Sequence, residues 1–361
     1  MRTRKANWIA AIALAALVAG CGGGDSSGGQ TPTGSTPAPS PATPAPATPA
    51  PATPAPATPT PSPAPTTSIP TDWNGGRAAT YTQLPDIAAC NAGVMSNTGL
   101  QDALQVMNGI RALHGLPAVT LSSADQQSAM EASLMMSANS QLSHTPPTTW
   151  KCYTALGAAG AGSSDLYASF PSANLSLMSN DNIFAGWMTE VNNLVANSVG
   201  HRRWILDPFL GTVAYGRVAG IYSSTQRIDS SALKVFNNTG GGVASAAAIP
   251  DYVAYPQGNY PARYFDATAL FSFTAIVDKT TTWGGNSSVD FSAATITVKP
   301  TGGSTNLAVS AITFDNDGYG VPNNIQWKVA GVATGTSYDV TISNVKVRGV
   351  ARVYSYSFKI V

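Results

Sequence analysis

The sequence predicts an α+β chain in which helices lead and strands follow. Between about residues 98 and 191, apolar side chains recur at helical spacing. Leu100, Leu104, Met107 and Ile110 form one stripe, Met130, Leu134, Ala138 and Leu142 a second, and Ile183, Phe184, Trp187 and Val191 a third. Beyond about residue 251 the period becomes two. Ile325, Trp327 and Val329 alternate with Gln326 and Lys328, and Tyr354, Tyr356, Phe358 and Ile360 alternate with Ser355, Ser357 and Lys359. Residues 21–70 are Gly and Ser, then Pro, Ala and Thr, and cannot bury a core.

Residues 1–20 have the form of a targeting segment. Arg2, Arg4 and Lys5 precede an apolar run, Trp8 to Ala19, too short to span a bilayer as a stable helix. Val18-Ala19-Gly20-Cys21 resembles a bacterial lipobox, which implies cleavage before Cys21, lipidation of its thiol and the membrane as a partner. By analogy with Gram-negative sorting, Gly22 after the cysteine favours the outer membrane. The repeat Pro-Ala-Thr-Pro-Ala, beginning at 41, 46 and 51, favours polyproline II. At ~3.1 Å per residue this stalk reaches on the order of 100 Å. Charged residues are 10% of the chain and the net charge is +1, with no basic patch for nucleic acid. With Cys21 lipidated, Cys90 and Cys152 remain; export predicts a disulfide between them, the alternative being two buried thiols.

The first folded domain is expected over 72–248. A helix over Gln101–His114 ends at Gly115, and Pro117 prevents its continuation. His114 falls on the polar side of its last turn, outside any site, and Arg111 reads as a solvated or ion-paired helix residue. A second helix, about 124–142, starts at a Ser123/Gln126 capping box and stops before His144, with Pro146-Pro147 fixing the exit. Residues 148–178 look irregular. They hold neither Gly-x-Ser-x-Gly nor a phosphate loop. A third helix runs from about Asn182 to Val191, capped by Ser179 or Asp181, with Glu190 on the side of Trp187. Strands near 211–218 and 232–236 complete the domain, and Gly240-Gly241-Gly242 marks its end.

Residues 249–361 predict an all-β immunoglobulin-like sandwich with Trp327 central, expected to fold alone beyond a linker near 246–250. No cysteine lies beyond 152, so no disulfide joins its sheets. Asp315-Asn316-Asp317-Gly318 hints at a calcium loop, but position twelve is Gln326 where a bidentate Glu is required, which leaves a hairpin turn.

Two of the three histidines stand in short motifs: Ser143-His144-Thr145-Pro146 and Gly200-His201-Arg202-Arg203-Trp204-Ile205-Leu206-Asp207-Pro208, with Trp187-Met188-Thr189-Glu190 between. Two imidazoles and a carboxylate in one cleft suit divalent-metal binding or proton transfer; the alternative is local packing. The two arginines pair with acids or stack on aromatics more often than they bind anions. The order of these motifs resembles the CAP superfamily of cysteine-rich secretory, antigen 5 and pathogenesis-related proteins, over about residues 98–245. The resemblance implies a three-layer α-β-α sandwich whose cleft holds two histidines and two acids. His144, His201 and Glu190 match three of the four. The second acid belongs to a Gly-Glu-Asn turn, and the nearest match, Gly162-Ser163-Ser164-Asp165-Leu166, has Ser163 in its place and Asp165 two residues on.

The expected function is therefore a surface-tethered, extracytoplasmic module binding a small or extended ligand (lipid, sterol, peptide or glycan) or a cell-wall component in a two-histidine cleft. The alternative is a metal-assisted hydrolase of peptide or cell-wall bonds. No cofactor is assigned with certainty; the metal that the two-histidine cleft would take, and that the hydrolase reading calls for, is a weakly held zinc on His144, His201 and Glu190.

Overall fold

The computed structural model describes residues 69–236 and 246–361. The targeting segment, Cys21, the stalk and the Gly240–Gly242 boundary lie outside the described residues. Among the described residues no helix is long and apolar enough to cross a membrane.

Helix α1 spans Trp73–Thr80, where Asp72 Oδ1 accepts from Gly75 N at 2.7 Å. Strands β1 (Tyr81–Gln83) and β2 (Val94–Met95) form a small antiparallel pair. Helix α2, Asn97–Leu113, begins earlier than its apolar stripe suggests, because Ser96 Oγ accepts from Gly99 N at 2.9 Å and caps it. After β3 (Thr120–Leu121), α3 covers Gln126–Asn139. The expected capping box does not form: Gln126 Nε2 instead donates to Tyr215 O at 2.7 Å. Ser140 at φ 50° ends α3 in a left-handed turn, so Leu142 falls outside the helix and is half-buried. Ala129, Met130, Ala132, Leu134, Met135, Met136 and Ala138 are all buried, so α3 is covered over most of its surface rather than along one stripe, with Gln127 left exposed.

Residues 148–178 hold more order than their sequence suggests. Helix α4 (Ala155–Gly162) and strand β4 (Ser164–Ala168) lie there. The glycines of α4 permit close packing: a Cβ on Gly160 would stand 2.2 Å from Ser128 O, and one on Gly157 2.9 Å from Glu131 Cβ. Helix α5 (Asn180–Thr189) is capped by Ser179, and α6 is the short helix Gly200–Ile205. Strands β5 (Thr212–Ser223) and β6 (Gln226–Lys234) form a long hairpin, and the sheet runs β3-β5-β6-β4, with β3 parallel to β5 and the other pairs antiparallel.

Helices cover both faces of this sheet. On one, Ser133 and Ser137 of α3 donate to Gly216 O and Val218 O, and a Cβ on Gly216 would meet Ala129 backbone at 2.2 Å. On the other, Tyr215 Oη donates to Asn180 Oδ1 at 2.7 Å, and Arg217 of β5 ties α5 to the sheet through Asn180 and Met178 O while a buried ion pair with Asp229 of β6 holds its guanidinium. The sheet is the middle of three layers. Cys90 and Cys152 form a disulfide, Cα–Cα 5.2 Å.

The strand-rich half contains β7 (Tyr252–Tyr255), β8 (Gly258–Tyr260), β9 (Phe271–Ala275), β10 (Val289–Asp290), β11 (Thr295–Pro300), β12 (Val309–Asp315), β13 (Asn324–Val329), β14 (Ser337–Val347) and β15 (Val350–Ile360). One sheet runs β12-β13-β9-β7. The other runs β10-β14-β15-β8, with β11 also on β14. Phe271 meets Phe358 edge to face at 5.4 Å, and Phe273 lies 5.1 Å from Tyr354, so aromatic side chains fill the space between the sheets. Trp327 is fully buried there.

Side-chain bonds join the two halves, Arg202 to Leu270 O and Arg203 to Asp315 among them. The described residues belong to one compact unit, and buried side chains cross from one half to the other. His114, expected on a polar surface, is buried, with Nε2 3.3 Å from Tyr260 Oη. Burial lowers its pKa to about 3, so it is neutral. Arg111, expected to be solvated or ion-paired, is fully enclosed and donates to Pro117 O, Ile205 O, Asp207 O and Leu210 O. It ties the end of α2 to the segment leaving α6.

Candidate functional site

The site is built where α5 stops. Glu190 adopts the left-handed conformation, φ 60° and ψ 9°, with its N–H bonded to Gly186 O. For a non-glycine residue this costs on the order of 1 kcal/mol. The same turn leaves Val191 exposed, against its expected place in a helical stripe. In return, the Glu190 carboxylate turns inward toward the start of α6. Its Oε1 accepts from Arg202 N at 3.0 Å; its Oε2 accepts from His201 Nδ1 at 2.7 Å and from Asn193 Nδ2 at 2.9 Å.

His201 is thus oriented by an acid, as a working imidazole must be. Its ring stacks on Trp187, centroids 6.4 Å apart, and Trp187 is held by an indole N–H bond to Leu166 O at 3.1 Å. Burial alone pulls the His201 pKa down, but the hydrogen bond and charge of Glu190, with the charge of Asp165, raise it to about 9. At neutral pH the ring is an imidazolium.

Asp165 enters from β4, where it pairs in register with Leu233. It is buried, and its Oδ2 has no hydrogen-bond partner. Burial raises its pKa well above the usual value; His201 opposes the shift and Glu190 adds to it, so the three groups share one field. Ser163 takes no part. Its Oγ donates to Ala159 O at 2.8 Å and Gly160 O at 3.2 Å, finishing α4.

His144 is exposed on the loop after α3 and donates Nδ1–H to Ala161 O at 2.9 Å, which leaves Nε2 as an acceptor. Its hydrogen bond is to the end of α4 and not to His201 or Glu190. Among the described residues, no group of three or more His, Cys, Asp and Glu side chains is arranged to hold a metal ion.

With the helix-sheet-helix layering and the Glu190–His201 pair established, a family comparison bears directly on the chain. Residues 104–224 match CAP, the cysteine-rich secretory protein family. No match is found among the curated proteins. The CAP match takes in His144, Asp165, Glu190 and His201 and stops short of the strand-rich half.

Next to His201, two arginines anchor α6 to the strand-rich half. Arg202 is fully buried, with Nε on Met188 O at 2.6 Å, a terminal nitrogen on Leu270 O at 2.7 Å and Ser272 Oγ at 3.1 Å, and its guanidinium 3.6 Å from the Tyr255 ring centre. Arg203 pairs with Asp315 at 2.8 Å and donates to Val321 O and Pro322 O. Asp315, which opens the calcium-like run, is therefore committed to an arginine and to Asp317 N; it ends β12, and the rest of the run lies in the loop before β13. Arg111 was missed as a part of this support. The available signal was an arginine one position after Ile110 of the apolar stripe, close to the face that the stripe buries.

Proposed function

We propose that the chain is an extracytoplasmic CAP-domain protein that binds an oxygen-bearing ligand, small or extended, at His201, Glu190 and Asp165. The observation that carries this reading is the buried His201–Glu190 pair beside the unpartnered Asp165 Oδ2, with no hydroxyl or thiol hydrogen-bonded to His201 among the described residues. An imidazolium whose Nδ1 is held by a carboxylate offers Nε2–H to a carbonyl, carboxylate or amide oxygen. Asp165, with its raised pKa, offers a proton or a lone pair to the same group. No hydroxyl or thiol nucleophile is hydrogen-bonded to His201 among the described residues, which favours binding over covalent hydrolysis.

The remainder of the proposal rests on sequence. Cys21 in Val18-Ala19-Gly20-Cys21 would carry the lipid anchor, residues 21–70 the stalk, and 249–361 an immunoglobulin-like module bearing on α6, with the outer membrane as location. A second reading is the metal-assisted hydrolase. It is favoured by the Glu190–His201 bond, the arrangement that orients a metal-binding imidazole from behind. The donor set fits it poorly. Glu190, the expected third ligand, already serves His201, Asn193 and Arg202, and His201 must first lose a proton held up to about pH 9.

Calorimetric titration of the untagged full chain with a fatty acid, a sterol, a short peptide and a peptidoglycan fragment tests the proposal, alongside zinc. Saturable binding of one organic ligand, reduced at least tenfold by His201→Asn and by Asp165→Asn, is the expected result. Stoichiometric zinc binding abolished by His201→Asn, with turnover of the peptide or fragment, would replace it with the hydrolase. No organic ligand bound by the wild type, or binding indifferent to both substitutions, would refute it.

A further inference from the structure

A second concavity lies away from His201. It measures about 560 Å³, within the range of small-molecule sites, and is bordered by α3, the 148–154 segment and the 90–92 segment. None of His144, Asp165, Glu190 and His201 borders it. We propose that this cavity is a saccharide site.

Its chemistry narrows the ligand class. Glu131 is the only charged residue among its described lining, and no lysine or arginine faces it. A phosphate, sulfate or carboxylate ligand would have no counter-charge there and would meet a like one. A purely apolar chain would strand the polar groups of Glu131, Gln127 and Asn91, which also border the space. A neutral polyol with apolar ring faces suits both features. Trp150 and Tyr153 are half-buried: each packs in part on the small apolar cluster around Ala132, Met135, Met136 and Ala161, and each also borders the cavity. Such anchored rings cover the C–H face of a sugar, while planar carboxylate and amide groups bond its hydroxyls.

The walls are fixed before any ligand arrives. Glu131 Oε1 accepts from Gln127 Nε2 at 2.8 Å, and Oε2 accepts from Thr154 Oγ1. Asn139 on α3 holds the opposite wall by two bonds to Lys151 backbone, each 3.1 Å. The Cys90–Cys152 disulfide joins the 90–92 wall to the 150–154 wall, and both sulfurs' residues border the space. A site already rigid loses little on binding, and a disulfide that spans its two walls makes binding depend on oxidation.

The experiment titrates the oxidised, full chain with three probes: an N-acetylated trisaccharide, an unsubstituted glucose trisaccharide, and spermidine as a small cation. Saturable binding of at least one trisaccharide is expected, weakened about tenfold or more by Glu131→Gln and by Trp150→Ala, and abolished on reduction. Gln127→Ala, on the exposed side of α3, gives a second readout if Trp150→Ala fails to fold, with a loss of several-fold expected. His201→Asn must leave sugar affinity unchanged, which separates this site from the one at Glu190. The proposal is overturned if neither trisaccharide binds the oxidised protein. It is equally overturned if sugar binding ignores both Glu131→Gln and Gln127→Ala, or if spermidine alone binds.

Discussion

Replacing Glu190 by glutamine should shift the titration of His201 more than any other single change in the molecule. The substitution keeps the size and an acceptor oxygen but removes the charge 2.7 Å from Nδ1. In the native protein the imidazole rises from 6.5 to about 9 although burial pulls the other way. That rise is worth about 3 kcal/mol in favour of the charged ring. Because the folded pKa is raised, this stabilisation is fully present below about pH 6.5 and is lost as pH climbs through about 9. Without the Glu190 charge, burial dominates and the midpoint should fall by roughly 2 pH units or more. Imidazole NMR is well suited to the measurement, since the chain has 3 histidines and His114, lowered to about 3, stays silent near neutrality. Urea denaturation should show the variant about 3 kcal/mol less stable than wild type at pH 6, with the gap closing by pH 10. A wild-type His201 that titrates at or below 6.5, or a midpoint unmoved by Glu190→Gln, would refute the electrostatic account of the site.

Three further outcomes concern the joint between the halves. Because the pKa of His114 falls from 6.5 to about 3 on folding, stability should drop as pH is lowered from about 6.5 toward 3, by up to roughly 4 kcal/mol, and His114→Gln should flatten that slope in acid denaturation curves. Arg202→Met removes the donors to Met188 O, Leu270 O and Ser272 Oγ and should cost about 3–5 kcal/mol. Wild type should unfold in one calorimetric transition, and isolation of a stable, folded 251–361 fragment would contradict the shared core.

What the sequence disclosed depended on how local each cause was. The period-two alternation around Trp327 and Phe358 gave strands, because burial on one face leaves that pattern in any chain. The Cys90–Cys152 bond was legible from compartment and count. Glu190 and His201 were legible as motif residues, but their 2.7 Å contact depends on a left-handed turn that no propensity marks at a glutamate. Helix α4 was hidden because its glycines read as loop; they serve a close approach to α3 that only the packed structure reveals. His114 was misjudged because its partner Tyr260 lies 146 residues away, and Arg111 and Arg202 were left open for one reason. A buried cation is stable when carbonyls from distant segments converge on it, and convergence across 94 or 68 residues leaves no local trace.

The Gly200-His201-Arg202-Arg203 run therefore carries two tasks in consecutive residues. Alternate side chains of a one-turn helix point in different directions, so His201 faces Glu190 and Trp187 while Arg202 and Arg203 face the strand-rich half. With only six residues, α6 has too few internal hydrogen bonds to hold its own orientation. Arg111 grips its exit through Ile205 O and Asp207 O, Glu190 caps its start through Arg202 N, and the two arginines fix its sides. The position of the imidazole is thus set by contacts beyond the matched family region, at Leu270, Ser272 and Asp315. The strand-rich half acts on the site by clamping the helix that presents His201, and loosening that clamp should disturb the imidazole before it disturbs the helices around it.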